Sequence, residues 1–426
     1  MIITILISFF VLLFLGMPIA FTMGTVTIGM LFLNGISLEL MVQRMFAGVN
    51  SFSLLALPLF ILAGNIMGKG GLTKRLIRLA NALVGKLSGG LAMTAVVTSA
   101  LFGAVSGSTV ATTFAVGSVI VPRMKEQNYS NAFTASVIGP AGILGLIIPP
   151  SITMVILGVT ANISIGKLFI AGLLPGLLLT IFMCIYVSII SKRRGYGVIK
   201  QTKISGREFL QICKEAFLPL MTPVFIIGGI YSGIVTATEA AVVAVLYGFI
   251  LAMYYGELTI SKFKEIMIVS TVTSATILII ISVANAFSYV LTANRIPDMI
   301  SGFFLQYAST PIQFLLMVSV ILLVLGTLTE VTSLIILLSP IFMPIAMQYG
   351  IDPIHFGMVL IMNFALANIT PPVGLSLIAG CSITDKNMGI EDTFPYILHI
   401  IGIVAFIVII IIFVPSISTI LPNIFG

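Results

Sequence analysis

Ile147-Ile148-Pro149-Pro150-Ser151-Ile152 interrupts an apolar run from 131 to 160, and Ile369-Thr370-Pro371-Pro372-Val373-Gly374 interrupts a second from 354 to 384. Proline has no N–H, and its ring clashes with the carbonyl four residues back, so each pair breaks a helix. Pro149 and Pro150 thereby free the carbonyls of Gly145 and Leu146, and Pro371 and Pro372 free those of Ala367 and Asn368. Pro122 lies 27 residues before Pro149, Pro344 lies 27 residues before Pro371, and the two halves are offset by 222. The same offset pairs Gly158 with Gly380, and sets a polar, glycine-containing break at 103–109 against one at 325–331.

The solvent for these runs is lipid. Of 426 residues, 59% are hydrophobic and 8% charged, with a mean hydropathy of +1.23. A soluble domain is roughly 25% charged. That excludes a soluble enzyme, a nucleic-acid-binding domain and a disordered scaffold, and the net charge of +7 reads as basic membrane-flanking loops rather than a nucleic-acid footprint. Cys184, Cys213 and Cys381 lie far apart, as do His355 and His399, so neither a disulfide framework nor a zinc site is expected. The first apolar run lacks a basic leader and a small-residue cleavage site, and reads as a retained helix.

A spanning helix needs about 20 mostly apolar residues. Runs at 2–16, 18–34, 55–68, 131–160, 168–191, 216–235, 236–255, 265–292, 354–384 and 393–420 are expected to cross, the first three extending past these limits. Runs 88–121 and 311–343 carry polar breaks near their middles and read as re-entrant hairpins, because irregular backbone at that depth is tolerated only inside protein or beside a water-filled cavity. With ten crossings and two hairpins, the loops at 69–86, 122–129, 192–214, 256–264 and 385–392 fall on one side and hold 17 of the 20 basic residues; Arg44, Lys167 and Arg295 fall on the other. The basic side is expected to be cytoplasmic and both termini outside. Each half then has five crossings, an odd number, so the second half enters the membrane inverted. Inverted repeats with discontinuous helices in matching places point to a secondary transporter and to its binding site. The corresponding units are 1–68 (scaffold helices and arm), 69–191 (first hairpin, broken helix and closing helix), 192–214 (basic linker), 215–292 (second scaffold) and 293–426 (second hairpin, broken helix and closing helix).

Freed carbonyls are expensive to leave bare in a membrane interior, and a small hard cation suits them. Two sodium sites are therefore expected: Ser106 and Ser108 with the backbone near Gly145, Ile148 and Pro150, and Gly326 and Thr329 with the backbone near Ala367, Thr370 and Pro372. Half-helix N-termini at Thr109–Ala111 and after Pro150 and Pro372 carry partial positive charge and suit an anionic solute. Ser108, Thr109, Ser151, Asn368 and Thr370 are its expected contacts. The bland alternative for each hydroxyl is a bond back to its own helix. Glu330 stands at a hairpin tip; Glu239 in Thr236-Ala237-Thr238-Glu239 reads as the acid of a capping box. Arg295 reads as an interfacial charge. Gly64-Asn65-Ile66-Met67-Gly68-Lys69-Gly70 fails as a nucleotide-binding loop at its last position, so the driving force is an ion gradient. No nucleophile–base or zinc-protease motif supports an intramembrane enzyme, and nothing forms the charged or carbonyl ring of a channel.

At these residues the chain resembles the large membrane subunit of the tripartite ATP-independent periplasmic (TRAP) transporters. The resemblance is carried by Gly16-Met17-Pro18-Ile19-Ala20-Phe21, Leu57-Pro58-Leu59-Phe60-Ile61-Leu62-Ala63-Gly64, Ser106-Gly107-Ser108, the two Pro-Pro segments, Thr238-Glu239-Ala240-Ala241 and Asp352-Pro353-Ile354-His355-Phe356-Gly357. It implies an all-α integral membrane protein of the ion-transporter superfamily, working by an elevator mechanism in a bacterial inner membrane. It also implies sodium coupling, a small four-helix membrane subunit, and a periplasmic solute-binding protein that delivers an organic acid of the sialic acid or C4-dicarboxylate class. No four-helix region precedes Met1, so the small subunit is expected as a separate chain. The sequence departs from the family at Thr112, where many members carry an acid, at Glu330, where Asp is frequent, and in Gly139-Pro140-Ala141-Gly142-Ile143-Leu144-Gly145. A self-sufficient ion-coupled carboxylate carrier is the alternative.

Overall fold

The computed structural model describes residues 2–197 and 205–425, and these are helical with short connections. Lys200 and Lys203 of the basic linker lie outside the described residues. The first half runs α1 (Ile2–Phe14), α2 (Ile19–Leu33), α3 (Glu39–Val49), α4 (Ala56–Lys69), α5 (Leu72–Val84), α6 (Gly90–Ser106), α7 (Thr109–Glu126), α8 (Asn131–Ala141), α9 (Leu144–Ile147), α10 (Ile152–Thr160) and α11 (Ile165–Arg194). The second runs α12 (Gly206–Tyr231), α13 (Ala237–Tyr254), α14 (Ile260–Ala293), α15 (Ile296–Tyr307), α16 (Pro311–Gly326), α17 (Val331–Gln348), α18 (Pro353–Ala367), α19 (Leu375–Thr384), α20 (Phe394–Phe413) and α21 (Ser416–Phe425).

The 222-residue offset relates these elements closely. It carries α7 from 109–126 onto 331–348, the bounds of α17, and α5 onto the region of α15. Both Pro-Pro peptide bonds are cis. The halves diverge at the arm. In the first, α3 and α4 are separated at Asn50-Ser51; in the second, the equivalent residues fuse into the 34-residue α14. Helix starts follow side-chain capping. Ser108, Ser130, Ser151, Ser164 and Thr236 each accept a bond from the N–H three positions into the following helix.

Several expectations are corrected. α1 and α2 stop inside the limits 2–16 and 18–34 rather than passing them, because Gly16 (φ +83°) and Gly35 (φ +64°) turn the chain. Among the described residues, seven helices are long and apolar enough to cross a membrane, or nine if each of two bent pairs counts as one span. Length and composition alone neither reach nor exclude the expected ten, since α2, α6, α18 and α19 are apolar but shorter. The stretch 69–86, read as a loop, contains the amphipathic helix α5. Leu72, Leu76, Ile77 and Ala80 are buried on one face, while Lys74, Arg75 and Arg78 lie on the other, bound to the second half. Lys74 pairs with Glu257 at 4.0 Å, Arg78 pairs with Glu215, and the Arg75 guanidinium sits 3.4 Å from the Tyr255 ring centroid.

The halves interlock around the breaks. α19 packs on α7 and α8, and α10 packs on α17, so the far half of each broken helix crosses onto the opposite hairpin. Hydroxyl pairs mark both crossings, Thr113 with Ser376 at 3.4 Å and Thr160 with Ser339 at 2.9 Å. At the centre α8 and α19 meet backbone to backbone. A Cβ on Gly380 would lie 2.7 Å from the Gly139 nitrogen and 2.8 Å from its Cα.

Candidate ion and solute site

The first hairpin turns at Gly107 (φ +63°), a conformation that costs an L side chain about 1–2 kcal/mol. Its tip is docked on the first break. The Ile152 N–H, left without a helical acceptor by the prolines, donates to Gly107 O at 3.1 Å. The approach admits no side chains: a Cβ on Gly103 would fall 2.8 Å from both the Cα and N of Gly145, and one on Gly107 would fall 2.7 Å from Pro150 O. A Cβ on Gly145 would meet Ser108 O at 2.9 Å and the Thr112 hydroxyl at 2.7 Å. The Ser106 hydroxyl lies 2.8 Å from that of Thr112. The structure thus brings together Ser106, the Ser108 carbonyl, Gly145, the Pro150 carbonyl and Thr112. Ile148 is the last residue before the break, and its side chain packs towards Gly176 on α11.

The roles of some groups differ from expectation. The Ser108 hydroxyl caps α7, accepting from Ala111 N at 3.4 Å, so it is the main-chain carbonyl of Ser108 that faces Gly145. Ser151, 1% exposed, donates to Leu146 O at 2.7 Å and accepts from Met154 N at 3.4 Å. The carbonyl expected to be free is therefore served by the adjacent hydroxyl, and Ser151 is spent on mending the break. Thr109 is buried, but Val110 beside it is 43% exposed. Among the described residues the N–H groups of Thr109 and Val110 have no main-chain acceptor, leaving the donors of a helix start open.

The second break repeats the plan with substitutions. Val373 N donates to Thr327 O at 3.3 Å, so that against the Ile152–Gly107 bond the donor is one residue and the acceptor two residues out of the 222 register. A Cβ on Gly326 would fall 2.5 Å from that of Ala367, so here only one of the two facing positions is glycine. The carbonyls of Ala367 and Asn368 accept from Thr370 N and Ser376 N, both at 3.1 Å. Thr329 and Thr370 donate to Leu325 O and Leu366 O, at 3.1 and 2.7 Å. A hydroxyl that donates backwards keeps its lone pairs facing out, so these oxygens stay usable by a cation. Asn368 is 7% exposed and its Oδ1 has no hydrogen-bond partner among the described residues. Pro149 and Pro150 are buried, whereas Pro372 is exposed, so the second break opens on one side. Glu330 caps α17 by accepting from Ser333 N at 3.0 Å. Glu239 and Thr236 form the expected capping box. Among the described residues no cluster of His, Cys, Asp and Glu could hold a transition metal, and the oxygens at the breaks suit an alkali or other hard cation. Gly103, Thr112 and Ser376 were not singled out as site residues by sequence reasoning. Small residues spaced around Gly107 were the one available signal for the first of them.

The family described as "Tripartite ATP-independent periplasmic transporter, DctM component" matches residues 6–417. Relatives include the isethionate TRAP transporter permease protein DctMQ of Oleidesulfovibrio alaskensis, 37% identical over 96% of this chain; the chain spans 64% of that relative's length. The C4-dicarboxylate TRAP transporter large permease protein DctM of Pseudomonas aeruginosa is 39% identical over 90% of this chain and 89% of its own. The sialic acid TRAP transporter large permease protein SiaM of Vibrio cholerae is 38% identical over 86% of each. Among solved structures, the YdaH transporter of Alcanivorax borkumensis superposes with a TM-score of 0.62 over 87% of this chain and 86% of its own, at 13% identity, a likeness of fold alone.

Proposed function

The chain belongs to the DctM component family of the tripartite ATP-independent periplasmic transporters, and we propose that it is the large, translocating subunit of a sodium-coupled importer of an organic acid. The family is one of transporters and not of enzymes, and the chain is a multi-pass membrane protein. In this reading it sits in a bacterial inner membrane beside a small four-helix subunit, and takes its solute from a periplasmic binding protein.

One observation carries the proposal: each hairpin tip is hydrogen-bonded to its own broken helix, at Gly107–Ile152 and Thr327–Val373. A hairpin docked on a break brings oxygens from two chain segments to one point, and a cation between them ties the segments together. At the first break the oxygens are those of Ser106, Ser108, Thr112 and Pro150, around Gly145. At the second the candidate oxygens are those of Thr329, Thr370 and Asn368, on the two segments that meet at Gly326 and Ala367. Sodium binding then strengthens docking, and docking aligns the open N–H groups at Thr109 and Val110 with an anion's oxygens. The two hairpins and broken helices move together against α2–α4 and α12–α14 as an elevator. Two sodium ions entering with a monoanion carry one net charge, worth about 2.3 kcal/mol per 100 mV. Relatives of near-equal identity are named for isethionate, C4-dicarboxylates and sialic acid, so an acidic headgroup is the common denominator of the solute.

Uptake into proteoliposomes holding this chain and its small subunit tests the reading. Import is expected only with an inward sodium gradient and the binding protein present. Import at the same rate without the binding protein would establish a self-sufficient carrier instead.

A further inference from the structure

A groove of about 430 Å³ runs along the outer surface between α6 and α11. It is lined by Met93, Val97, Ile181, Cys184, Ile185 and Ile189 among others. The three isoleucines are each 45–51% exposed, and the Thr180 hydroxyl at its deep end is turned away onto Gly176 O at 2.8 Å. The wall therefore offers hydrocarbon to whatever lies in it.

The groove has a charged head. Ile181, Ile185 and Ile189 lie four residues apart, and the next position on that helical stripe is Arg193; Cys184 and Ser188 continue to Lys192. One turn, about 6 Å, separates the last isoleucine from the arginine. The loop before α6 closes the same corner, for a Cβ on Gly89 would lie 2.6 Å from the Ser191 Cβ. That loop carries the exposed Lys86. Among the described residues Lys86, Lys192 and Arg193 have no carboxylate partner. An apolar channel one helix pair wide, ending at three unpaired cations at the membrane edge, complements a molecule with one long hydrocarbon tail beside one negative head.

We infer that this groove binds an anionic phospholipid, with one acyl chain between α6 and α11 and its phosphate on Lys86, Lys192 and Arg193. The lipid leans on α6, whose far end carries Ser106, and so buttresses the first hairpin. The inference does not depend on which solute is carried.

The chain contains no tryptophan, so single tryptophans report local lipid. Ile181→Trp, on the groove rim, and Val320→Trp, exposed on α16 with no basic residue on its helix, are compared in the full chain reconstituted into phosphatidylcholine. Brominated phosphatidylglycerol, or brominated phosphatidylcholine as the neutral control, quenches each. The Ile181→Trp signal is expected to half-saturate at a several-fold lower fraction of the anionic lipid than Val320→Trp, since a basic residue near the surface gives a preference of roughly fivefold. The neutral lipid is expected to treat both alike. Adding Lys86→Gln, Lys192→Gln and Arg193→Gln should bring the two anionic-lipid curves together. Val97→Phe, which fills the groove and leaves all three charges, should do the same. Coincident curves in the parent proteins would overturn the proposal, as would an Ile181→Trp signal that no lipid quenches, which would mean protein covers the groove. A preference surviving Val97→Phe would place the lipid on charge alone and remove the groove from the account.

Discussion

Replacing Gly103 by alanine tests whether the tip–break contact shapes an ion site. The added carbon would sit 2.8 Å from both the Cα and N of Gly145, and 3.1 Å from the Leu144 carbonyl carbon. All three atoms are main chain, so no side chain can rotate away and the hairpin must lift. Overpacking of this kind costs about 1–3 kcal/mol. At 1.4 kcal/mol per tenfold, the equilibrium constant for docking falls by roughly 5–150-fold. If sodium binds only the docked arrangement, its apparent affinity falls with the fraction docked, by at most the same factor. Helix propensity acts the other way, since alanine in place of a helical glycine favours α6 by up to about 1 kcal/mol. Gly228→Ala in α12 is the matched control, because a Cβ there meets nothing within 4 Å. The assay is the sodium concentration for half-maximal uptake in proteoliposomes, with thermal midpoints measured in parallel. A rise of up to about 150-fold is expected for Gly103→Ala and none for Gly228→Ala. A Gly103→Ala protein as stable as the parent, with unchanged half-saturating sodium, would refute the reasoning.

Asn368→Ala removes the buried, unpartnered Oδ1; bonds to charged groups contribute about 1.5–3 kcal/mol, so half-saturating sodium or solute should rise by roughly 10–150-fold. An unchanged value for both would show the amide to be a bystander. Ser151→Ala should behave differently: it loses a helix cap and the bond to Leu146 O, lowering stability by about 1 kcal/mol, while the half-saturating solute concentration stays put. A selective loss of solute affinity there would return Ser151 to the binding site. Gly380→Ala should cost about 1–3 kcal/mol of stability through its clash with the Gly139 backbone, seen as a lowered thermal midpoint with or without sodium.

Much of the fold could be read from proline and glycine. The Pro-Pro pairs, the 222 offset and the two polar interruptions each act through backbone chemistry that a single sequence exposes, and the turn at Gly107 and the cap at Glu239 stand where that chemistry puts them. Helix α5 was missed because its basic residues were read as loop charges. Its buried stripe of Leu72, Leu76, Ile77 and Ala80 has the helical period and was legible. The fusion of arm and span in α14 was not legible, since Lys262, Lys264 and Glu265 hide an uninterrupted helix behind polar side chains. Within the site, residue type located the oxygens but not their allegiance. Ser151 and Ser108 carry hydroxyls next to breaks, and only three-dimensional structure shows both spent on capping helices. Gly103 was read only as the start of a break, because its importance lies in what faces it from about forty residues away, and Thr112 only as a departure from the family, because folding alone brings it to Ser106.

Equilibrium binding of radioactive sodium to the purified full-length chain is the most direct measurement of whether the broken helices cage cations. Saturable binding of about two ions per chain is expected from oxygen cages of this kind, with Ser106→Ala and Thr329→Ala each abolishing one and leaving the other. Absence of saturable binding, or binding that neither substitution alters, would contradict it.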